Sequence, residues 1–229
     1  MQFCVITLFP ALLEAVKGCG VVGRAFERGL ASLLCINPRD FTQDKYQTVD
    51  DRPYGGGPGM VMLAEPLFQA IQFAKQALPN AKVIFLSPKG TPLTQSKLRE
   101  LSNQSELILL SGRYEGVDQR LIDEVVDEEI SIGDYVLSGG ELPAMVVIDG
   151  ITRLLPDVLG HHDSAQQDSF SGAWLDCPHY TRPETWHGQV VPKVLLSGDH
   201  KAIEAWRVDQ SKAITAQKRP DLIKDKNRF

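Results

Sequence analysis

The chain has 229 residues, 43% of them apolar and 23% charged, with a net charge of −5. That balance excludes wholesale disorder and supports a sizeable buried core in one large domain, or in one medium and one small one. No run approaches the roughly 18–20 apolar residues of a membrane span. Four scattered cysteines (Cys4, Cys19, Cys35, Cys177) form no C-x-x-C pair, which excludes a disulfide frame and points to reduced thiols in the cytoplasm.

In chain order, Phe3 to Leu8 reads as a short apolar strand. Pro10 then opens a helix through Lys17, as proline does at a first helical position. The N-terminal run lacks a basic leader and is cut by Pro10, so a secretory signal is not expected. Arg24 to Gly29 reads as further helix and Leu33 to Ile36 as a second strand. Residues 37–60 are loop-like and end in Gly55-Gly56-Gly57-Pro58-Gly59. A helix is expected from Pro66 to Ala77. Three strands follow, Lys82 to Leu86, Leu107 to Leu110 and Glu128 to Ile132, each running into a loop rich in glycine or proline. Helices fit after them at Thr94 to Leu101, Val117 to Val125 and Leu142 to Leu155. Short apolar strands alternating with helices predict a parallel sheet covered on both faces. In such sheets ligands bind at the carboxyl ends of the strands, where these loops lie.

The organisation expected is a domain over residues 1–155, a polar linker over 156–173 without apolar periodicity, and a small, mainly helical domain over 174–229. In the last, a helix starts after Asp199, a good N-cap, and stops at Arg219 before Pro220. Residues 174–229 carry a net charge of +3 and the rest −8, compatible with nucleic-acid binding by a patch.

Gly18-Cys-Gly20-Val-Val-Gly23 matches G-x-G-x-x-G, but a helix precedes it where that fingerprint needs a strand, so a turn between helices is the better reading. There is no phosphate-binding Gly-Lys-Ser/Thr loop and no Gly-x-Ser-x-Gly nucleophile turn. Cys177, His179, His187 and the pair His161-His162 match no zinc spacing. The glycine loops after the three strands are the strongest signal. They bring bare backbone to a ligand between apolar walls, with little positive charge. That chemistry suits an adenosine-like ligand without a triphosphate, such as S-adenosylmethionine. The Tyr54 loop, beside Arg52, could cradle a phosphate or a stacked base.

Longer stretches carry a family resemblance. They include Asp50-Asp-Arg-Pro-Tyr-Gly-Gly-Gly-Pro-Gly-Met60, Gly112-Arg-Tyr-Glu-Gly116, Ser131-Ile-Gly-Asp-Tyr-Val-Leu137, Gly139-Gly-Glu-Leu-Pro-Ala-Met145, Asp168-Ser-Phe170 and Asp176-Cys-Pro-His-Tyr-Thr-Arg-Pro183. With these the chain resembles, over nearly its whole length, the bacterial tRNA (guanine-N1)-methyltransferases of the knotted SPOUT class. The resemblance implies an α/β fold, a parallel sheet with a deep trefoil knot and a small helical tRNA-binding domain. It also implies a homodimer, and no membrane or DNA partner. S-adenosylmethionine would be held by Leu86, Ser87, Pro88, Gly112, Tyr114 and Gly116. Ser131, Ile132, Gly133, Asp134, Tyr135, Val136 and Leu137 would form a second wall, completed by Gly139, Gly140 and Pro143. Pro58, Gly59 and Ser164 would meet the target base. Phe85 stands where the family often has Tyr.

The family reaction methylates N1 of the guanosine at position 37 of tRNA, just 3′ of the anticodon. N1 of neutral guanine carries a proton, so a general base is required. The resemblance assigns that role to Asp168 and assigns Arg153 to the charge developing on guanine O6. It also implies magnesium, for which no cage is evident, and a linker that folds over the site with RNA bound. Two alternatives remain at this level. One is a non-catalytic RNA-binding module on the same fold, which would be expected to have lost some loops. The other is a nicotinamide dehydrogenase, resting on Gly18–Gly23 alone.

Overall fold

The computed structural model describes residues 1–160, 168–172 and 174–224. The chain divides into two compact units, Met1–Leu159 and Gly160–Phe229.

The first unit is built on five parallel strands: β1 (Gln2–Ile6), β2 (Ser32–Ile36), β5 (Lys82–Pro92), β6 (Glu106–Ser111) and β7 (Glu128–Ser131). They lie in the order β2-β1-β6-β5-β7. The helices are α1 (Pro10–Lys17), α2 (Gly20–Glu27), α3 (Ala64–Ala77), α4 (Gln95–Ser102), α5 (Gln119–Val125) and α6 (Glu141–Thr152). The central strands are apolar without a break because both sheet faces are buried. Side chains alternate across the pleat. Cys4, Ile6, Val83, Phe85, Ile108 and Leu110 therefore pack on one face with Leu67, Ile71 and Ala74 of α3 and Leu121 of α5. Phe3, Val5, Ile84, Leu86, Leu107 and Leu109 pack on the other with Leu13 of α1, Leu101 of α4 and Val147, Ile148 and Ile151 of α6.

Helix starts follow local chemistry. Pro10 sits in the first turn of α1. Thr94 caps α4 by accepting from the Lys97 N–H, and Asp118 caps α5 by accepting from the Arg120 N–H. Because Asp118 is the cap, α5 begins at Gln119, two residues later than the apolar pattern from Val117 implies. The stretch Gly18–Gly23 is a turn between two helices, with Gly20 opening α2 at φ +70°.

Two stretches expected to be plain loop are more ordered. Residues 37–60 hold a 3₁₀ turn (Pro38–Phe41) and β3 (Asp50–Asp51), which pairs antiparallel with β4 (Val61–Met62). Ser87 to Gly90 does not end β5 but is a bulge within it. Ile130 of β7 pairs with Leu86 before the bulge and with Thr91 after it. Gly90 is required there, since a Cβ would overlap the backbone of Glu129 and Ile130.

In the second unit, β8 (Thr185–Trp186) and β9 (Gln189–Val190) form a short hairpin that precedes α7 (His200–Lys218). Asp199 caps α7 by accepting from the N–H groups of Lys201 and Ala202, both at 3.1 Å. The Thr215 hydroxyl, fully buried on α7, accepts from the Leu175 N–H at 2.9 Å and so ties the stretch after Asp168 to this helix. Tyr180 packs on Trp206 with ring centroids 6.3 Å apart.

The cysteines provide a check on this packing. Burial, with neighbouring Cys35 second, pushes the Cys4 thiol up to about 12. Burial and the adjacent Asp176 also raise Cys177, while Cys19 is exposed. The thiolate is the reactive form. At pH 8 a thiol-specific reagent should label Cys19 in the native protein, and Cys4 only after denaturant is added. Labelling of Cys4 at the rate of Cys19 would contradict the fold.

Candidate active site

The carboxyl ends of β5, β6 and β7 point to one edge of the sheet, where their loops close around a cavity of about 250 Å³. One wall is Leu86, Ser87 and Pro88 from the β5 bulge. A second is Gly112, Tyr114 and Gly116 from the loop after β6. The third is Ser131, Ile132, Gly133, Tyr135, Val136 and Leu137 after β7, continuing through Gly139 and Gly140 to Pro143 on α6. Asp134 alone of the expected wall residues is off the cavity, and it is exposed.

Backbone geometry makes these loops tight. Tyr114 adopts φ +58°, a left-handed conformation that non-glycine residues seldom hold. Burial first and the nearby Asp50 carboxylate second push its phenol above the ordinary tyrosine range. The Ser131 hydroxyl donates to the Gly133 carbonyl and accepts from the Gly133 N–H, at 3.1 and 3.2 Å, which folds this loop on itself. Tyr135 lies over Gly133, leaving its aromatic ring and Val136 largely exposed at the mouth.

Charge on the walls is mixed. Lys89 and Arg113 bring two cations that the loop pattern alone did not mark, and Glu115 and Glu129 bring two carboxylates. Arg113 is already engaged. One guanidinium nitrogen lies 2.9 Å from Glu141, another donates to the Ser138 carbonyl at 3.1 Å, and the group stacks on the Phe9 ring 4.4 Å away. The Glu141 carboxylate also accepts from the Thr7 hydroxyl at 2.8 Å and is 1% exposed. Arg113, Glu141 and Thr7 had no role assigned from the sequence. The available signal is an acid directly after Gly139-Gly140, opening a helix whose next seven residues are apolar.

Pro58 and Gly59 are exposed in the glycine loop before β4. A Cβ on Gly59 would overlap the Glu115 side chain, so this loop abuts the cavity rim. The Glu115 N–H donates to the Met60 carbonyl and the Met62 N–H to the Gly116 carbonyl, both at 2.9 Å, fastening β4 to the loop after β6. Arg153 caps the end of α6 in the first unit and is exposed. Asp168, half-buried, lies in the second unit, where its carbonyl accepts from the Ser171 N–H. Ser164 and the pair His161-His162 lie outside the described residues. Among the described residues, Asp176, Cys177 and His179 form the one group of three that could face a metal. The Asp176 carboxylate there already accepts from the Cys177 N–H at 2.7 Å and meets the His179 ring at 2.8 Å. His187 lies apart from them at the β8–β9 turn.

A family model described as tRNA (Guanine-1)-methyltransferase TrmD matches residues 1–225. The tRNA (guanine-N(1)-)-methyltransferase of Alcanivorax borkumensis is 61% identical over 221 residues, 95% of this chain and 83% of the relative. Relatives of the same name from Marinomonas sp. and Idiomarina loihiensis are 57% and 58% identical, covering 98% and 97% of this chain and 90% and 89% of theirs.

The close approach of α6 to β6 tests the site's packing. The Gly140 N–H donates to the Gly112 carbonyl at 3.0 Å, and a Cβ on Gly140 would come 2.7 Å from the Ser111 Cα. The obstacle is backbone, so Gly140→Ala should cost about 1–3 kcal/mol of stability in urea unfolding. A neutral effect would mean that the helix start does not pack as described.

Proposed function

The chain belongs to the tRNA (guanine-1)-methyltransferase family and is an enzyme of that activity, and from that premise we propose how its residues divide the work. The observation that carries the reading is the convergence of the loops after β5, β6 and β7 on one cavity with bare backbone and apolar walls. The ligand proposed is S-adenosylmethionine. Leu86, Pro88, Ile132, Leu137 and Pro143 offer surfaces for the adenine, and the glycine-rich turns offer backbone N–H and C=O groups to its polar edges. Glu115 and Glu129 favour a cationic centre in this space. Bound there, the donor supplies a methyl group on a positively charged sulfonium, which leaves as a neutral thioether.

The target proposed is N1 of the guanosine at position 37, 3′ of the anticodon. Asp168 takes the N1 proton onto its carboxylate as the N1 lone pair bonds to the methyl carbon. Arg153 offsets the negative charge that grows on guanine O6 as the proton departs. Pro58 and Gly59 take the target base, with Ser164 as a further contact, and residues 174–229 hold the tRNA by its phosphates. The exposed aromatics Tyr180 and Trp186 of that region suit unpaired bases. Among the described residues no group of three metal-ligating side chains offers oxygens alone. Asp176, Cys177 and His179 pair one carboxylate with a thiol and an imidazole, so the ion enters no step.

The deep trefoil knot is proposed for this sheet from the family resemblance, and the β5 bulge, paired with β7 on both sides, brings its residues to the cavity. A homodimer is proposed from α6. Its Pro143, Ala144, Val147, Ile148 and Ile151 are buried, yet Leu142 and Val146 remain 52% and 46% exposed, and Phe9, Leu12 and Val136 are exposed as well. Asp149 is the one charge on that exposed side, and the apolar surface beside it asks for a covering partner. No helix among the described residues is long and apolar enough to cross a membrane. The cytoplasm, where tRNA is, is the proposed location.

The test is methyl transfer from labelled S-adenosylmethionine to an unmodified tRNA transcript and to one with adenosine replacing guanosine 37. Label is expected on the first alone. Asp168→Ala should bind the donor normally and lose about 10²–10⁴-fold in turnover. Near-normal turnover in that variant would remove Asp168 as the base. Equal labelling of both transcripts would remove guanosine 37 as the target.

A further inference from the structure

We infer that Glu141 is a positioning residue for the methyl donor, acting through Arg113. The inference rests on the reading of the cavity as the donor site. Glu141 is absent from the cavity wall and almost wholly buried, so it does not touch a ligand there. Its carboxylate gathers three segments that are distant in sequence. Thr7, at the end of β1, donates to one oxygen at 2.8 Å, and the Arg113 guanidinium lies 2.9 Å from the other. Glu141 itself opens α6, where the helix dipole favours an anion.

Arg113 carries this link to the cavity. It belongs to the loop after β6 and reaches across to the segment before α6. There it donates to the Ser138 carbonyl at 3.1 Å and fills the space over Gly139, where any Cβ would overlap it. The two loops also pair through their backbones, at Arg113 with Gly139 and at Gly112 with Gly140. Ser138, Gly139 and Gly140 lie on one wall, and Gly112, Tyr114 and Gly116 on the wall that adjoins it through this pairing. The Glu141–Arg113 pair is thus the clip that fastens two adjoining walls to each other and to the end of β1. The Phe9 ring, under the guanidinium, keeps it from swinging outward. Phe9 is itself placed by its N–H, which donates to the Thr7 hydroxyl at 2.9 Å.

A plain stabilising role is the competing account. Buried ion pairs contribute little net stability relative to apolar replacements of the same shape, because desolvation offsets attraction. What such a pair supplies is a fixed geometry, and here the geometry fixed is that of the cavity. The arrangement around Arg113 fits this view. Its Nε, the facing Glu141 Oε2 and the neighbouring Ser111 hydroxyl are buried without hydrogen-bond partners, so beyond its bond to the Ser138 carbonyl the group is held by charge and stacking, not by a saturated network.

The experiment compares the full-length wild type with Glu141→Gln, which keeps the side-chain shape and removes the charge. S-adenosylmethionine binding is measured by calorimetry, KM is measured separately for donor and for tRNA, and unfolding is followed by temperature. Expected is a tenfold or greater loss of donor affinity with a matching rise in donor KM, while the KM for tRNA stays within twofold. Thr7→Val removes both the hydrogen bond to Glu141 and the acceptor for the Phe9 N–H and should weaken the donor about threefold; Thr7→Ser keeps the hydroxyl and should match the wild type. Unchanged donor affinity in a folded Glu141→Gln protein overturns the inference, as does an equal weakening of donor and tRNA. If Glu141→Gln does not fold, the Thr7 pair decides: equal donor affinity in Thr7→Val and Thr7→Ser also overturns it. Failure of the wild type to bind S-adenosylmethionine would instead remove the reading of the cavity, and the inference with it.

Discussion

A single carboxylate, 1% exposed, sits where the ends of β1 and β6 meet the start of α6. Its position follows from the sheet. Parallel strands deliver all their carboxyl ends to one edge, and the loops there have left the hydrogen-bond ladder behind. Their backbone groups must find other partners or remain in water. Here they find one another: Gly140 donates to Gly112, Met62 to Gly116 and Glu115 to Met60. Such contacts are short and local. Glu141 is the group that ties them to a strand, β1, in the middle of the sheet, and so makes the loops part of the rigid layer beneath.

That rigidity has a counterpart in α6. Helices facing solvent usually keep an apolar stripe and a polar face. α6 instead continues its apolar pattern through Leu142 and Val146, although Val147, Ile148 and Ile151 already satisfy the core. The same helix therefore begins at the ion pair, contributes Pro143 to the cavity wall and turns an uncovered apolar side outward. The proposed donor site and the proposed dimer contact share one element. A displacement of α6 in either would be felt in the other, because packed cores shift as units.

Much of this could be read from residue order. Unbroken apolar runs at Phe3–Ile6, Val83–Leu86 and Leu107–Leu110 declare strands buried on both faces, and Pro10, Thr94 and Asp199 mark helix starts through simple steric and capping rules. The glycine loops point to the cavity, since three of them fall at the carboxyl ends of parallel strands, where ligands bind. The β5 bulge could not be read this way. Ser87-Pro-Lys-Gly90 is an ordinary turn sequence, and only the pairing of Ile130 with both Leu86 and Thr91 returns it to the strand. Pairing between distant segments leaves no local trace. Arg113 and Glu141 were obscure for the same reason. Each looks like a surface charge until the other is placed beside it. Asp168 and Arg153 stand on the resemblance, because a polar residue in a polar stretch has no pattern to break.

The charge on the cavity walls bears on which ligand class it can take. Two cations and two carboxylates would look neutral if counted together, and Lys89 with Arg113 could suggest a phosphate site. The buried pair changes that sum. Arg113 is held against Glu141 and stacked on Phe9, so its charge is already met. Lys89 is then alone against Glu115 and Glu129. A nucleoside polyphosphate would bring several negative charges to a space that is itself net negative, at a distance where such repulsion is costly. A nucleoside bearing a cationic sulfur would not. The glycine loops, which supply backbone but no phosphate-binding lysine of their own, and the buried Glu141 thus act in the same direction. One would make room for the proposed adenosine, and the other withdraws the positive charge that would invite phosphates.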